Sequence, residues 1–190
     1  VSIPPSGIRK FFDIVNEMEG AISLGVGEPD FDTPWHIREE GIYSLEKGRT
    51  FYTSNAGLKQ LKDEICNYLK RRFEVSYDPD TEIMVTVGGS EAIDVAMRAM
   101  LNPGDEVITF APYFGEYRSY VNNFDGVLVE ISPNTVDFQP KLDEFEAKIT
   151  PKTKAVIVNT PNNPSGAVYS AETLTKLAEV LTRKAEQYGQ

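Results

Sequence analysis

The chain of 190 residues is 41% hydrophobic and 25% charged, which is the composition of a globular domain with a sizeable core. Its formal net charge of -10, from 19 basic and 29 acidic side chains, argues against nucleic acid or an anionic membrane as a partner and favours small polar substrates. A single cysteine, Cys66, and a single histidine, His36, exclude the usual zinc sites, and both residues are expected to be structural.

The first part of the chain, to about Asp80, shows helical patterns separated by loops rich in glycine and proline. A short amphipathic stretch, a segment that begins at Thr33 and Pro34, and a longer run with an apolar face each predict a helix. The predicted helices span residues 8–18, 35–46 and 57–73.

From Glu82 onward, apolar runs of strand length alternate with helical patterns. The predicted strands span residues 83–87, 106–110, 127–131 and 155–158, and the predicted helices span 91–101, 114–123, 141–149 and 171–188. This alternation is typical of an α/β fold with a mainly parallel sheet covered by helices on both faces.

No apolar run approaches the ~20 residues that a membrane-spanning helix needs, and residues 1–5 contain no signal-peptide core. We therefore expect a cytoplasmic protein without a membrane partner. The chain begins without methionine and ends directly after a helical pattern, so we expect it to be a shortened or processed piece.

The predicted strand 83–87 runs directly into Gly88, Gly89 and Ser90, where the next helix begins. Two glycines let the backbone approach an anion, and the free amides at a helix start favour a phosphate. Ser90 either adds a hydroxyl contact or caps the helix, and a plain strand-to-helix turn is the alternative for the motif. A dinucleotide site is not expected, because the chain lacks a GxGxxG run and an acidic residue near the end of the second strand.

Two further loops follow predicted strands at the carboxyl edge of the sheet, where α/β folds bind ligands. The first brings the aromatic ring of Phe114, which would suit a planar heteroaromatic phosphate, although a core position is the alternative. The second is residues 159–166, NTPNNPSG, in which the prolines stiffen the loop so that Asn163 could be held toward a ring oxygen. An ordinary turn is the alternative there.

These segments, in this order, resemble the fold type I aminotransferases of the class I/II group, in particular those resembling bacterial aspartate aminotransferases. The resemblance covers nearly the whole chain. Residues 25–31, GVGEPDF, resemble the glycine-rich segment near the substrate carboxylate, and residues 49–57, RTFYTSNAG, resemble the segment whose tyrosine reaches the partner subunit's cofactor. Gly88 departs mildly from the family, since some members have a side-chain hydroxyl at this position. In this chain the backbone amides would have to make more of the contacts with the phosphate.

The resemblance implies pyridoxal 5′-phosphate as the cofactor, an amino acid and a 2-oxo acid as substrates, and a homodimer in the intact enzyme. It implies a helical N-terminal segment, with residues 1–32 as an arm and part of the small domain and residues 33–190 as an incomplete large domain. The substrate-binding residues that it implies are Gly27 and Asn163. The cofactor-binding residues that it implies are Gly88, Gly89, Ser90, Phe114, Asn163 and Tyr52.

In this family the Schiff-base lysine, the aspartate that faces the ring nitrogen and the arginine for the substrate carboxylate lie beyond the point that matches Gln190. Lys152 and Lys154 are expected at the opposite edge from the site, and Lys141 and Lys148 as solvated helix charges. We therefore assign no catalytic residue and expect the chain alone to be inactive. We also expect gaps in its sheet, which later strands of the family would fill.

Two other functions are compatible with the same residues. A carbon-sulfur lyase or synthase on the same fold would differ mainly in its pocket contacts. A non-catalytic phosphate-binding or dimerisation module would bind a phosphate ester without a covalent bond to lysine.

Overall fold

The computed structural model describes residues 11, 14–15, 17–20, 22, 25 and 27–189. The chain forms two compact units, Ser2–Val85 and Thr86–Gln190. The predicted helix 8–18 lies largely outside the described residues. The predicted domain boundary after residue 32 stays a prediction.

The first unit contains two described helices, α1 at Trp35–Glu46 and α2 at Lys59–Phe73. Helix α1 has the predicted bounds, but Pro34 is the residue before the helix rather than its first residue, and no side chain caps it. None of its residues is buried. Helix α2 ends where Glu74 adopts the left-handed conformation, with φ of 59°. Cys66, in this helix, is half-buried.

The backbone at Gly57, just before α2, lies very close to Val85. A Cβ atom at Gly57 would lie 2.7 Å from Val85 Cβ, and the φ of 103° also favours glycine. The Val85 amide donates to the Ala56 carbonyl at 3.0 Å. Residue 57 therefore has a steric reason to be glycine that is independent of any ligand.

The prediction of a strand at 83–87 is wrong for the described structure. No described strand pairs with this segment, and the Val85 amide bonds to the loop before α2 instead. A strand needs a hydrogen-bonded neighbour, and the three described strands pair only with one another. An apolar run of strand length does not reveal whether that neighbour is present.

The second unit is an α/β arrangement around a three-stranded parallel sheet of order β2–β1–β3. In this unit the four predicted helices and the last three predicted strands are confirmed with small shifts of their ends, the largest at the helix predicted from residue 114. The elements are α3 Gly89–Met100, β1 Glu106–Phe110, α4 Tyr117–Asn122, β2 Val127–Ile131, α5 Leu142–Lys148, β3 Thr153–Ile157 and α6 Ala171–Tyr188.

Alternate residues of β1 face two apolar clusters, one on each side of the sheet. Ile108 and Phe110 pack with Phe145 of α5 and Leu177 of α6. Val107 packs on the other side in a cluster completed by Met97 of α3 and Val121 of α4. Because helices cover both faces, the central strand is wholly buried apart from its first residue.

The parallel sheet determines where the candidate site residues lie. The carboxyl ends of the three strands share one edge, so the loops after β1 and β3 leave the sheet side by side. Helix α3 joins the start of β1 through residues 101–105, and its length of ~18 Å matches that of the strand. Its first turn is therefore directed toward the same carboxyl edge.

Helix α5 is joined to the end of β2 through Glu144. Its Oε1 accepts hydrogen bonds from the Ser132 amide at 3.0 Å and the Ser132 hydroxyl at 2.9 Å, and lies 2.7 Å from Lys148 Nζ. Lys148 first, and then the Ser132 amide, lower the pKa of Glu144 to about 2. The ionised carboxylate therefore stabilises the folded state.

We predict that Glu144 makes stability depend on pH in the acidic range. Its folded pKa is depressed from 4.5 to about 2, so its contribution is complete above about pH 4.5 and is lost as pH falls toward 2. Denaturant unfolding should show Glu144→Gln less stable than the parent at pH 7, with the difference shrinking at pH 3. Asp143→Asn, at an exposed neighbour, is the control, and a difference that stays constant with pH would contradict the assignment.

Candidate active site

The start of α3 presents an open backbone surface at Gly88, Gly89 and Ser90. Gly88 is the residue before the helix and is fully extended, with φ of 176°. A Cβ atom at Gly88 or Gly89 would meet no other atom within 4 Å. Glycine leaves room here for a ligand to approach the amides of the first helical turn, which have no partner within the helix.

Three hydrogen bonds hold the backbone that leads into this turn. Thr86 Oγ1 donates to the Gly88 carbonyl at 2.9 Å, and the Ala92 amide donates to the same oxygen at 3.1 Å. The Val87 amide donates to Glu91 Oε2 at 2.6 Å. Among the described residues, no hydrogen bond involves the amides of Gly88, Gly89, Ser90 and Glu91, so those of Gly89 and Ser90 are among the donors available at the helix start.

Sequence reasoning missed the roles of Thr86 and Glu91. Glu91 is the third residue after Gly88, the spacing at which a carboxylate reaches back to the backbone before a helix. That spacing could have identified it. Its carboxylate is committed to the Val87 amide, which leaves the amides of Gly89 and Ser90 for another anion.

Phe114 lies in the loop after β1 and is half-buried. Its ring meets the buried ring of Tyr117 edge to face, with centroids 5.7 Å apart and an interplanar angle of 76°. The Ala111 amide donates to the Ile131 carbonyl at 2.9 Å, which extends the pairing of β1 and β2 into this loop. The Phe114 ring is thus held by packing at the carboxyl edge while part of its surface stays accessible.

The loop after β3 is organised by Asn162 rather than Asn163. Asn162 is 7% exposed, and its Oδ1 accepts from the Ser165 amide at 3.1 Å and the Ser165 hydroxyl at 2.8 Å. Its backbone carbonyl accepts from the Gly166 amide at 2.7 Å. Asn163 is exposed, with its side chain free to meet a ligand. The serine three residues after Asn162 was the signal for this turn.

The second unit therefore brings five of the predicted site residues to one edge of its sheet. They are Gly88, Gly89, Ser90, Phe114 and Asn163. Gly27 and Tyr52 belong to the other unit, where both are exposed and the Tyr52 side chain is fully so. The relation of these two residues to the other five stays a prediction.

The lysines differ in part from expectation. Lys148 is not simply a solvated helix charge, because its Nζ donates to the Glu130 carbonyl at 2.6 Å and pairs with Glu144. Lys154 lies within β3 rather than before it, while Lys152 precedes that strand and is exposed, as is Lys141.

Among the described residues, no group of three or more side chains is arranged to hold a metal ion. Every helix in the same part of the chain is too short or too polar to cross a membrane.

Known proteins are similar in sequence to most of the chain. The Bacillus subtilis (strain 168) protein YugH, whose name assigns it to the aminotransferases, is 53% identical over 179 residues, which cover 93% of this chain and 46% of YugH. Aromatic-amino-acid aminotransferase 2 of Thermococcus litoralis is 41% identical over 178 residues, again 93% of this chain and 46% of the relative. The chain thus spans about half the length of the curated relatives that it matches.

A solved structure supports the same relationship. Aspartate aminotransferase from Thermus thermophilus with maleate superposes with a TM-score of 0.87 at 37% identity, covering 95% of this chain and 48% of that one. The family model described as aminotransferase class I and II matches residues 19–186, which is most of the sequence. The chain therefore belongs to the class I and II aminotransferase family.

Proposed function

We propose that this chain supplies the pyridoxal 5′-phosphate site of an enzyme that transfers an amino group between an amino acid and a 2-oxo acid. Members of the class I and II family use this cofactor. The observation that supports the proposal is the strand order, which directs the loops carrying Phe114 and Asn163 to one edge of the sheet, together with the open turn at Gly88–Ser90.

The residues at this edge fit the chemistry of the cofactor. The amides of Gly89 and Ser90 and the positive end of the α3 dipole suit its phosphate, and the open space at Gly88 lets that group approach. The Phe114 ring suits the planar pyridine ring, and the Asn163 amide suits the phenolic oxygen. When bound, the cofactor supplies the electron sink that amino-group transfer requires.

The roles of Gly27 and Tyr52 are the part of the proposal that depends on the family resemblance. Gly27 contributes its backbone near the substrate carboxylate, with Asn163 beside it. Tyr52 reaches the cofactor phosphate of a second subunit in a homodimer, and its full exposure in the described chain is compatible with that role. A cytoplasmic location is proposed from composition alone.

Aspartate or an aromatic amino acid is the proposed amino donor, because the relatives' names include both classes. No residue of these 190 is assigned as the lysine that bonds covalently to the cofactor, as the aspartate that faces its ring nitrogen, or as the arginine that binds the substrate carboxylate. The chain alone is proposed to bind the cofactor without transaminating, as a phosphate-binding module would.

We predict that the 190-residue chain retains pyridoxal phosphate without a covalent bond. Its absorbance should resemble that of the free aldehyde, and borohydride treatment followed by intact-mass measurement should reveal no specific adduct. A stoichiometric adduct stable to denaturation would instead assign the covalent step to a lysine within this chain.

We predict that Ser90→Asp weakens binding of the cofactor at least about ten-fold, because the new carboxylate repels the phosphate. The fold should be preserved, since a carboxylate in the first turn of a helix is favourable. Ala171→Asp adds the same charge to the first turn of α6, whose start is capped by Ser170 on the other face of the sheet, and should leave the dissociation constant unchanged. Equal effects of the two substitutions on the dissociation constant would show that Ser90 does not belong to the phosphate site.

We predict that the two adjacent asparagines separate binding from stability. Asn163→Ala should weaken cofactor binding about five-fold through loss of a hydrogen bond, with a change in unfolding free energy within about 0.5 kcal/mol. Asn162→Ala should lower the unfolding free energy by about 1–3 kcal/mol, because Ser165 loses its buried partner. Denaturant unfolding and cofactor titration of both variants test this, and a reversal of the pattern would assign the ligand contact to Asn162.

A further inference from the structure

Tyr113, directly before Phe114, has its hydroxyl group held by two charged side chains. The hydroxyl donates to Glu130 Oε1 at 2.7 Å, and Arg118 Nη2 donates to the hydroxyl oxygen at 3.1 Å. Arg118 and Glu130 also contact each other directly. Because Glu130 belongs to β2 and Arg118 to α4, the hydroxyl group joins the loop after β1 to two other elements.

The rings of the same loop form a connected series. Tyr113 lies nearly parallel to Tyr117, with an interplanar angle of 8° and centroids 6.2 Å apart. Phe114 then meets Tyr117 edge to face. Tyr117 is 6% exposed, so its ring cannot turn without disturbing the core. The orientation of the accessible Phe114 ring therefore depends on Tyr117, which is held both by the core and by its contact with the Tyr113 ring.

The polar contacts of Tyr113 have more bearing on geometry than on stability. The side chains of Arg118 and Glu130 are 56% and 39% exposed, and ion pairs so exposed contribute little to folding. Burial first, and then the hydrogen bond to Glu130, raise the pKa of Tyr113 above its ordinary value, so the phenol stays protonated and keeps donating. The contacts constrain the position of one aromatic ring at the sheet edge.

We propose that Tyr113 is a positioning residue for the cofactor ring: anchored by Glu130 and Arg118, it sets the plane of Phe114 through Tyr117. This inference rests on the proposed function, because the plane of Phe114 matters only where a planar heteroaromatic phosphate lies against it. It adds residues behind Phe114 that act through that ring without touching the ligand.

The test measures dissociation constants of the 190-residue chain for pyridoxal phosphate and for inorganic phosphate. Tyr113→Leu, which removes the ring, should weaken cofactor binding about five-fold and leave phosphate binding unchanged, because phosphate needs only the turn at Gly89 and Ser90. Tyr113→Phe, which keeps the ring but removes the hydroxyl that Glu130 and Arg118 hold, should weaken cofactor binding by less than Tyr113→Leu but measurably. The single variant Phe114→Leu and the double variant Tyr113→Leu/Phe114→Leu should bind the cofactor equally weakly. Tyr113 acts through the Phe114 ring, so its removal should have no further effect once that ring is gone.

Phe124→Leu is the control, because Phe124 packs against the cluster around Met97 just after α4, and among the described residues no ring contact joins it to Tyr113, Phe114 or Tyr117. It should leave the ratio of the two dissociation constants unchanged. Parent-like cofactor binding by Tyr113→Leu, additive effects in the double variant, or an equal loss of phosphate binding would overturn the inference while leaving the proposed function standing. Absence of saturable cofactor binding by the parent chain would overturn both.

Discussion

The candidate site depends on the parallel pairing of β1 with β2 and β3. Parallel strands end at the same edge, so the loops that follow them emerge side by side. The pairing is secured by burial of β1 on both faces, where Val107 and Ile108 are completely inaccessible to solvent. Packing in the middle of the sheet thereby holds together loops that are separated by about fifty residues in the chain.

Residues proposed to contact the ligand at this edge are supported by neighbours that face the protein. Asn162 holds the turn from which Asn163 projects, and Glu91 holds the backbone that leads to Gly89. This division is physically reasonable, because a residue that binds a ligand must keep its polar atoms available while its backbone stays ordered. The motifs therefore contain supporting residues beside those proposed to bind the ligand, and the two kinds look alike in sequence.

The segment before Gly88 shows the limit of predicting secondary structure from local sequence patterns. Residues 83–87 have the apolar character of a strand, yet in the described structure no strand lies beside them. The described sheet also has an unpaired side at each of its outer strands, β2 and β3. Unpaired backbone groups at a sheet edge favour the addition of another strand, and the relatives are about twice as long as this chain.

Sequence alone determined the α/β class, three of the four predicted strands and the motifs that led to the family. These features are local, since they depend on the spacing of apolar residues, on turn residues and on glycines at a helix start. The tertiary structure decided which strands pair, that Asn162 rather than Asn163 is buried, and that Tyr113, Arg118 and Glu130 meet. Those outcomes depend on contacts between distant residues, such as the pairing of Thr109 with Glu130 across two strands, and no local pattern encodes them.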